Sequence, residues 1–203
     1  MKSKIIDGLL EIGAIKLQPN DPFTWTSGIV SPIYCDNRLT IGNVKLRKTI
    51  AQELSKLIQD KYPEVELIGA CATAGIPHGT SVADILDKDL IYFRSKPKDH
   101  GTNSTIEGYY TRGSKVVIVE DLISTGKSVG KAVEDAQAAG LEVLGVVSIF
   151  SYGLDKAVNK LTSSGVNYFS LLRVNDLLIH ENNGLNEQDK EIIKDFIKEL
   201  NFA

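Results

Sequence analysis

A group of polar residues at positions 120–128 has the composition of an anion-binding site. It follows a run of β-branched apolar residues, and the whole stretch, 116–128, reads VVIVEDLISTGKS. Its last three letters match the end of a nucleoside-triphosphate P-loop, which also needs a glycine five positions before the second glycine, so that the backbone can wrap the phosphates. That position holds Asp121, whose carboxylate would repel a triphosphate. The sequence therefore argues against a nucleoside triphosphatase.

The same residues suit a ribose that carries a single phosphate. We expect residues 124–128 to start a helix, where free N–H groups and small hydroxyls bind one phosphate. Glu120 and Asp121 come just before it, and carboxylates there can accept hydrogen bonds from sugar hydroxyls. The alternative is an ordinary turn in which Ser124 or Thr125 caps the helix and the acids interact with its dipole. Two adjacent acids directly after a buried strand are costly unless they bind something, which favours a phosphoribosyl site.

The elements that must position this stretch predict an α/β fold with a doubly wound, mainly parallel sheet flanked by helices. Apolar runs typical of buried strands alternate with helical patterns. The predicted strands are 65–72, 90–93, 115–119 and 141–150, and the predicted helices are 42–60, 76–86 and 128–139. Ligands bind at the carboxyl ends of the strands in such sheets, which is where residues 120–128 fall.

The two ends of the chain have amphipathic patterns. Residues 1–17 predict a helix rather than a signal peptide, because acids interrupt the apolar positions. Short strands and turns are expected at 22–40, and a final helix at 186–200. We expect one domain over 1–203, with a hood segment at 1–40 and a core at 41–203. No apolar stretch is long enough to span a membrane.

Composition restricts the classes of partner and compartment. The net charge of -3 over 203 residues gives no general attraction to polyanions, so nucleic acid is not expected as a partner. The two cysteines, Cys35 and Cys71, match no metal-binding pattern and suit a reducing compartment. We therefore expect a cytoplasmic protein without a membrane segment.

The stretch VVIVEDLISTGKS resembles the phosphoribosyl-diphosphate motif of the type I phosphoribosyltransferases, in which apolar residues precede two acids and a Thr-Gly turn. The resemblance implies the fold of that family. It also implies that the sugar diphosphate is bound along this segment, by Glu120, Asp121, Leu122, Ile123, Ser124, Thr125, Gly126, Lys127 and Ser128.

A second resemblance lies in the polar segment 92–108, YFRSKPKDHGTNSTIEG. Arg94, Lys96, Lys98 and His100 would repel each other without an anion, although a solvated basic loop is an equal alternative from composition alone. The spacing resembles the catalytic loop of the orotate phosphoribosyltransferases. That resemblance implies that Arg94, Lys98 and His100 act on the diphosphate. It also implies a homodimer, in which a mobile loop, 95–108, closes over the site of the neighbouring subunit.

A third resemblance covers FTWTSGIVSPIYCDNR at 23–38, which is similar to the N-terminal segment of the orotate enzymes. It implies that Tyr34 lies against the pyrimidine with Cys35 beside it, and that Ser124 reaches the orotate edge. The alternative for Tyr34 is a core position in a structural hairpin. Residues 72–80, ATAGIPHGT, resemble the small-residue loop that accepts the diphosphate, with His78 packing at the helix start.

Together these resemblances imply transfer of phosphoribose to orotate in pyrimidine synthesis, giving orotidine monophosphate and diphosphate. Mg²⁺ is the implied cofactor, bound through the diphosphate and not by a direct protein ligand. A phosphoribosyltransferase for another base and a non-catalytic sensor of phosphoribosyl diphosphate are the alternatives, although the loop cations favour catalysis.

Some positions differ from the pattern of the orotate enzymes. Thr26, Ala74 and Ser95 stand where many of those enzymes have lysine, and no arginine lies near Ser151 and Tyr152. These differences leave the contact to the orotate carboxylate unassigned.

Overall fold

An N-terminal segment of short elements precedes the main sheet. The computed structural model describes residues 2–25, 28–96 and 105–202 of the chain. The segment contains α1 (Lys2–Glu11), β1 (Ile15–Leu17), β2 (Phe23–Thr24), β3 (Val30–Ser31), β4 (Ile33–Cys35) and a 3-10 helix (Asn37–Gly42). Strands β1 and β4 pair antiparallel, as do β2 and β3. The short strands and turns predicted for this segment are confirmed.

Strands and helices then alternate along the chain. The elements are α2 (Val44–Lys61), β5 (Leu67–Cys71), α3 (Gly75–Leu86), β6 (Asp89–Phe93), β7 (Ile106–Glu107), β8 (Lys115–Ile123), α4 (Lys127–Ala138), β9 (Glu142–Ser151), α5 (Asp155–Ser163), β10 (Tyr168–Arg173), α6 (Val174–Leu178) and α7 (Glu187–Phe202).

The central sheet has the strand order β10-β9-β8-β5-β6-β7. All neighbouring strands pair in parallel except β7, which is antiparallel to β6. The chain order reverses between β5 and β8: β6 and β7 follow on one side of β5, and β9 and β10 follow on the other side, beyond β8. Such a reversal in a parallel sheet forms a crevice at the carboxyl ends of the strands. The sheet topology therefore predicts a ligand-binding site at the residues that follow Val119.

Helices cover both faces of the sheet, as predicted. Val117 and Val119 belong to the core shared with α1, α2 and α7, whereas Val116 and Ile118 belong to the core shared with α4 and α5. Alternate residues of a strand point to opposite faces, so a strand buried on both sides is apolar at every position. This is why the continuous apolar run at 116–119 indicated a buried strand.

Several boundaries differ from the sequence prediction. The helix predicted over 1–17 ends at Glu11, and Ile15–Leu17 form strand β1, which pairs with β4. Strand β8 continues through Glu120 to Ile123, because β9 pairs with it as far as Ile123 and Ser151. The two acids are therefore part of the strand and do not follow it. Helix α4 begins at Lys127, so Ser124 and Thr125 lie in the preceding turn. None of the helices that the structure describes combines the length and apolar character needed to cross a lipid bilayer.

Candidate active site at the carboxyl end of β8

The acid pair Glu120–Asp121 lies at the carboxyl end of the central strand. Glu120 is only 5% exposed. Its Oε1 accepts a hydrogen bond from the Asp121 N–H at 3.0 Å, and its Oε2 accepts one from the Ser128 hydroxyl at 3.0 Å. The first residue of α3 approaches the strand closely here, because a Cβ on Gly75 would lie 2.8 Å from the Val119 carbonyl oxygen. The pair is thus enclosed by α3, α4 and its own strand.

Burial changes the protonation of both acids. Burial, and then the neighbouring Asp121 carboxylate, raise the pKa of Glu120 to about 8. Burial also raises the pKa of Asp121. A carboxyl group removed from water favours its neutral form unless a cation or several donors compensate. At neutral pH the pair therefore holds a proton that a ligand with hydroxyl donors would help to release.

The turn between β8 and α4 forms an anion-binding helix start. Gly126 precedes the helix with a left-handed φ of 76°, which suits glycine. A Cβ at this position would lie 3.0 Å from the Cα of Ala157. No side chain of the described residues caps α4, so the predicted alternative of Ser124 or Thr125 as its cap was wrong. The N–H groups of its first turn are available for a phosphate.

A cavity of about 410 Å³ opens over this turn. Residues 122–128 line one side of it, and the end of β6 lines the other. Three cationic side chains are among its lining residues: Arg94, Lys127 and Lys131. The N-terminus of α4 and these three cationic side chains give the cavity the positive charge that favours binding of a phosphate.

A second cavity, of about 320 Å³, lies next to the acid pair. Glu120 and Asp121 line it together with Asp36 and Arg38 from the N-terminal segment and with residues 72–74. The peptide bond between Ala72 and Thr73 is cis. The two cavities share Ala72, Leu122 and Ser128 as lining residues. The acids therefore lie between the first cavity, which has the charge to bind a phosphate, and the loop that precedes α3.

Three of the four cations that line the two cavities pair with acids outside the central pair. Arg38 donates to both carboxylate oxygens of Asp36, at 2.6 and 2.7 Å. Arg94 donates to Glu107 at 3.1 Å. Lys131 forms an ion pair with Asp135 on the next turn of α4. These pairs hold positive charge near the cavities without neutralising Glu120 and Asp121.

The predicted base-side residues come from the N-terminal segment. Tyr34 is half-buried and its ring lies 5.5 Å from that of Phe23, so it packs within the N-terminal segment without being fully buried. Trp25 packs against Tyr152 at 5.1 Å and against Phe196 at 6.0 Å, which attaches this segment to the end of β9 and to α7. Lys98 and His100 lie outside the described residues, as does Thr26.

The two thiols do not have the properties of nucleophiles. Burial, with the nearby carboxylate of Asp121, raises the pKa of Cys35 far above the ordinary thiol value. Burial and Glu120 likewise raise the pKa of Cys71. Because the thiolate is the reactive form, both side chains stay protonated and unreactive at neutral pH. Within residues 2–25, 28–96 and 105–202, no group of three His, Cys, Asp or Glu side chains could hold a metal ion.

Four residues of the site were not predicted from the sequence: Asp36, Asn37, Arg38 and Lys131. Lys131 lies one helical turn after Lys127, so helical spacing from the motif would have indicated it. The three others reach the acid pair only through the chain fold, since 84 positions separate Asn37 from Asp121. No local pattern could have placed them there.

Comparison with known proteins identifies the family of the chain. Residues 41–182 match the family model for the phosphoribosyl transferase domain. An orotate phosphoribosyltransferase from Listeria monocytogenes is 47% identical over 201 residues, covering 98% of this chain and 96% of that protein.

Solved structures give the same result for the fold. The orotate phosphoribosyltransferase from Aeropyrum pernix superposes with a TM-score of 0.75 at 25% identity, over 98% of this chain and 99% of that one. The UMP synthase from Leishmania donovani has a TM-score of 0.81 at 26% identity, over 97% of this chain and 42% of that one. The predicted fold is confirmed, and the chain belongs to the phosphoribosyl transferase family and, within it, to the orotate phosphoribosyltransferases.

Proposed function

We propose that this enzyme transfers the 5-phosphoribosyl group of phosphoribosyl diphosphate to orotate, giving orotidine 5'-monophosphate and diphosphate for pyrimidine synthesis. The observation that carries the proposal is the pair of buried Glu120 and half-buried Asp121 directly beside the turn at Gly126 that precedes α4. Acids that accept from sugar hydroxyls and amides that bind a phosphate match the two ends of a phosphoribosyl group.

Each part of the sugar phosphate has a proposed partner. Glu120 and Asp121 accept hydrogen bonds from the ribose hydroxyls, and Leu122 and Ile123 continue the wall of the cavity. The 5'-phosphate lies at residues 124–128, where Ser124, Thr125, Gly126, Lys127 and Ser128 offer N–H groups, hydroxyls and one ammonium group.

The orotate base lies on the side of the N-terminal segment. We expect Tyr34 to lie against the pyrimidine ring, and Ser124 to reach its edge. The ring nitrogen gives up its proton and forms a bond to C1' of the ribose while the bond from C1' to diphosphate breaks, and the leaving group takes the electron pair. Orienting these two atoms accounts for much of the rate, because no side-chain nucleophile is needed.

Negative charge that develops on the diphosphate needs cations. Arg94 lines the first cavity, and we propose that Lys98 and His100 join it when the loop 95–108 closes. That loop would come from the neighbouring subunit of a homodimer. Such closure would also exclude the water that hydrolyses an activated sugar.

Mg²⁺ is the proposed cofactor, carried by the diphosphate. Asp36 and Asp121 place carboxylate oxygens in the second cavity, where they would accept hydrogen bonds from the waters of an ion held by the diphosphate. When bound, the ion neutralises the charge of the leaving group.

The remaining proposals concern organisation and compartment. We propose that residues 1–40 act as a hood over a core of residues 41–203 in one catalytic domain. Both cysteines are free thiols, which suits the reducing cytoplasm.

The test is orotate consumption followed by ultraviolet absorbance with phosphoribosyl diphosphate and Mg²⁺ present, with adenine, hypoxanthine and uracil in parallel reactions. Turnover of orotate alone is the expected result. Turnover of a different base would show that the site serves another phosphoribosyl transfer. Binding of phosphoribosyl diphosphate without any turnover would favour a sensor.

A further inference from the structure

A buried polar network lies behind the acid pair. It consists of Asn37 and Thr40 from the 3-10 helix and His78 from the first turn of α3, and all three are fully buried. The Asn37 amide donates to the Asp121 carbonyl oxygen at 2.7 Å. The Thr40 hydroxyl donates to the main-chain carbonyl oxygen of Asn37 at 2.5 Å and lies 3.1 Å from Nε2 of His78. The link from α3 to Asp121 therefore runs from His78 through the Thr40 hydroxyl to the main chain of Asn37, whose side-chain amide bonds Asp121.

The direction of each hydrogen bond in the network follows from the donor count. A threonine hydroxyl has one proton, and Thr40 gives it to the Asn37 carbonyl. Its contact with His78 must then be accepted by Thr40, so Nε2 of His78 carries the proton. Burial, with the nearby Arg47 charge, lowers the pKa of His78 to about 4, which keeps the ring neutral at physiological pH. The network thus has one defined arrangement of protons.

The network joins two elements that line the second cavity. Asp121 lies beyond the last residue of β8 that pairs with β5, which is Val119. Its N–H group donates to Glu120 and its carbonyl accepts from Asn37, so side chains fix the peptide groups on both sides of Asp121. His78 lies in the helix that directly follows residues 72–74, the loop on the opposite wall of the cavity. The 3-10 helix therefore sets the spacing of these two walls.

The network is incompletely satisfied, which is unusual for purely structural groups. Within the part of the chain that the structure describes, Oδ1 of Asn37 and Nδ1 of His78 are buried without a hydrogen-bond partner. Each such atom costs free energy, and apolar residues of similar shape would avoid that cost. A requirement to hold Asp121 in one position gives these polar side chains a reason to be present.

We propose that Asn37, Thr40 and His78 are positioning residues that fix the Asp121 main chain relative to residues 72–74, and thereby set the affinity for phosphoribosyl diphosphate. The inference rests on the proposed function, because it assumes that the sugar diphosphate occupies this cavity. It adds that the N-terminal segment controls the sugar side of the site as well as the base side.

Thr40→Val tests the proposal, because valine keeps the shape and removes the hydroxyl. We expect KM for phosphoribosyl diphosphate to rise about tenfold, which is the effect of one strong hydrogen bond, while KM for orotate changes little. Thr40→Ser restores the hydroxyl and should restore KM. Ser55→Ala is the matched control, since Ser55 is also buried and donates only within α2, to Ala51.

The outcomes separate the inference from the proposed function. Calorimetric titration with phosphoribosyl diphosphate measures the affinity of each variant even if orotate is not the base. A Thr40→Val protein that loses thermal stability as Ser55→Ala does, but keeps the affinity of the original chain, overturns the positioning role and leaves the enzyme assignment intact. If Thr40→Val does not fold, Asn37→Ala takes its place, because it removes the donor to Asp121. Unchanged affinity in that variant overturns the proposal equally.

Discussion

Acidic side chains lie at both ends of strand β8 but in opposite environments: those at the amino end come from the segment between α2 and β5, and those at the carboxyl end belong to β8 itself. At the amino end, Glu64 forms an ion pair with Lys115 and is 64% exposed, and Glu66 accepts from the Lys115 N–H at 2.9 Å. At the carboxyl end, Glu120 and Asp121 are enclosed, and within the described ranges no lysine or arginine forms an ion pair with either.

This difference distinguishes a solvated charge from a functional one. An exposed ion pair contributes little to stability, so the amino end of the strand has no strong electrostatic demand. A buried acid without a cation has a perturbed pKa, and such groups concentrate at functional sites. The exposed acids at the amino end of β8 therefore have little effect on stability, whereas enclosing the acids at its carboxyl end costs folding free energy.

The largest expected effect comes from replacing Glu120, as a direct test of the comparison. Glu120→Gln keeps the shape but removes the charge that receives a ribose hydroxyl. We expect the affinity for phosphoribosyl diphosphate to fall on the order of 100-fold, the effect of a charged hydrogen bond. Titration calorimetry measures it. Glu64→Gln, at the other end of the strand, is the control and should leave the affinity unchanged; equal losses in both variants would contradict the comparison.

A smaller effect is expected at the glycine that starts α4. Gly126 and Gly165 both have a left-handed φ, but a Cβ on Gly126 would lie 3.0 Å from Ala157 whereas one on Gly165 would meet nothing within 4 Å. Gly165→Ala should therefore cost about 1 to 2 kcal/mol in the free energy of unfolding, the backbone penalty alone. Gly126→Ala should cost more and should also weaken binding of the 5'-phosphate. Urea unfolding and titration with ribose 5-phosphate provide the two readings.

If Gly126→Ala bound ribose 5-phosphate as tightly as Gly165→Ala does, the turn before α4 would not be the phosphate site. If the two variants lost the same stability, a small shift of α5 would have relieved the close contact between the new Cβ and Ala157.

The smallest expected effect is the pH dependence of stability. The pKa of Glu120 is raised to about 8, so the folded chain binds this proton more tightly than the unfolded chain, whose carboxyl has its ordinary value of 4.5. The contribution of Glu120 is therefore complete below pH 4.5 and is lost as the pH rises through 8. We expect the Tm of the unliganded protein to fall relative to that of Glu120→Gln between pH 6 and 8. Parallel Tm curves for the two proteins would show that Glu120 ionises normally.

Local patterns predicted the elements that are buried on both sides. The apolar runs of β5, β6, β8 and β9 and the helical spacing of α2, α3 and α4 were enough to predict a doubly wound sheet. Residues 155–178 were not assigned, because β10 is an edge strand whose side chains are mostly half-exposed and α5 and α6 are short. The end of β8 was predicted too early, since pairing with β9 overrides the local preference of two acids.

The motif predicted one wall of the candidate site, whereas the other walls depend on the three-dimensional fold. Residues 120–128 were predicted because the chemistry lies in consecutive positions. Asp36, Asn37 and Arg38 were not, because their contact with the acid pair depends on how the N-terminal segment folds over the end of the sheet. A sequence read locally contains no signal for a hydrogen bond across 84 positions.

The most direct test of the account is the proton released when phosphoribosyl diphosphate binds. Titrations at pH 7.5 in two buffers with different ionisation enthalpies give the number of protons released, and the same pair of titrations on Glu120→Gln subtracts protons that come from the ligand. We predict that the original chain releases more protons than Glu120→Gln, because ribose hydroxyls favour the ionised form of the buried carboxyl. Equal release and equal affinity in the two proteins would contradict the claim that this acid pair binds the sugar.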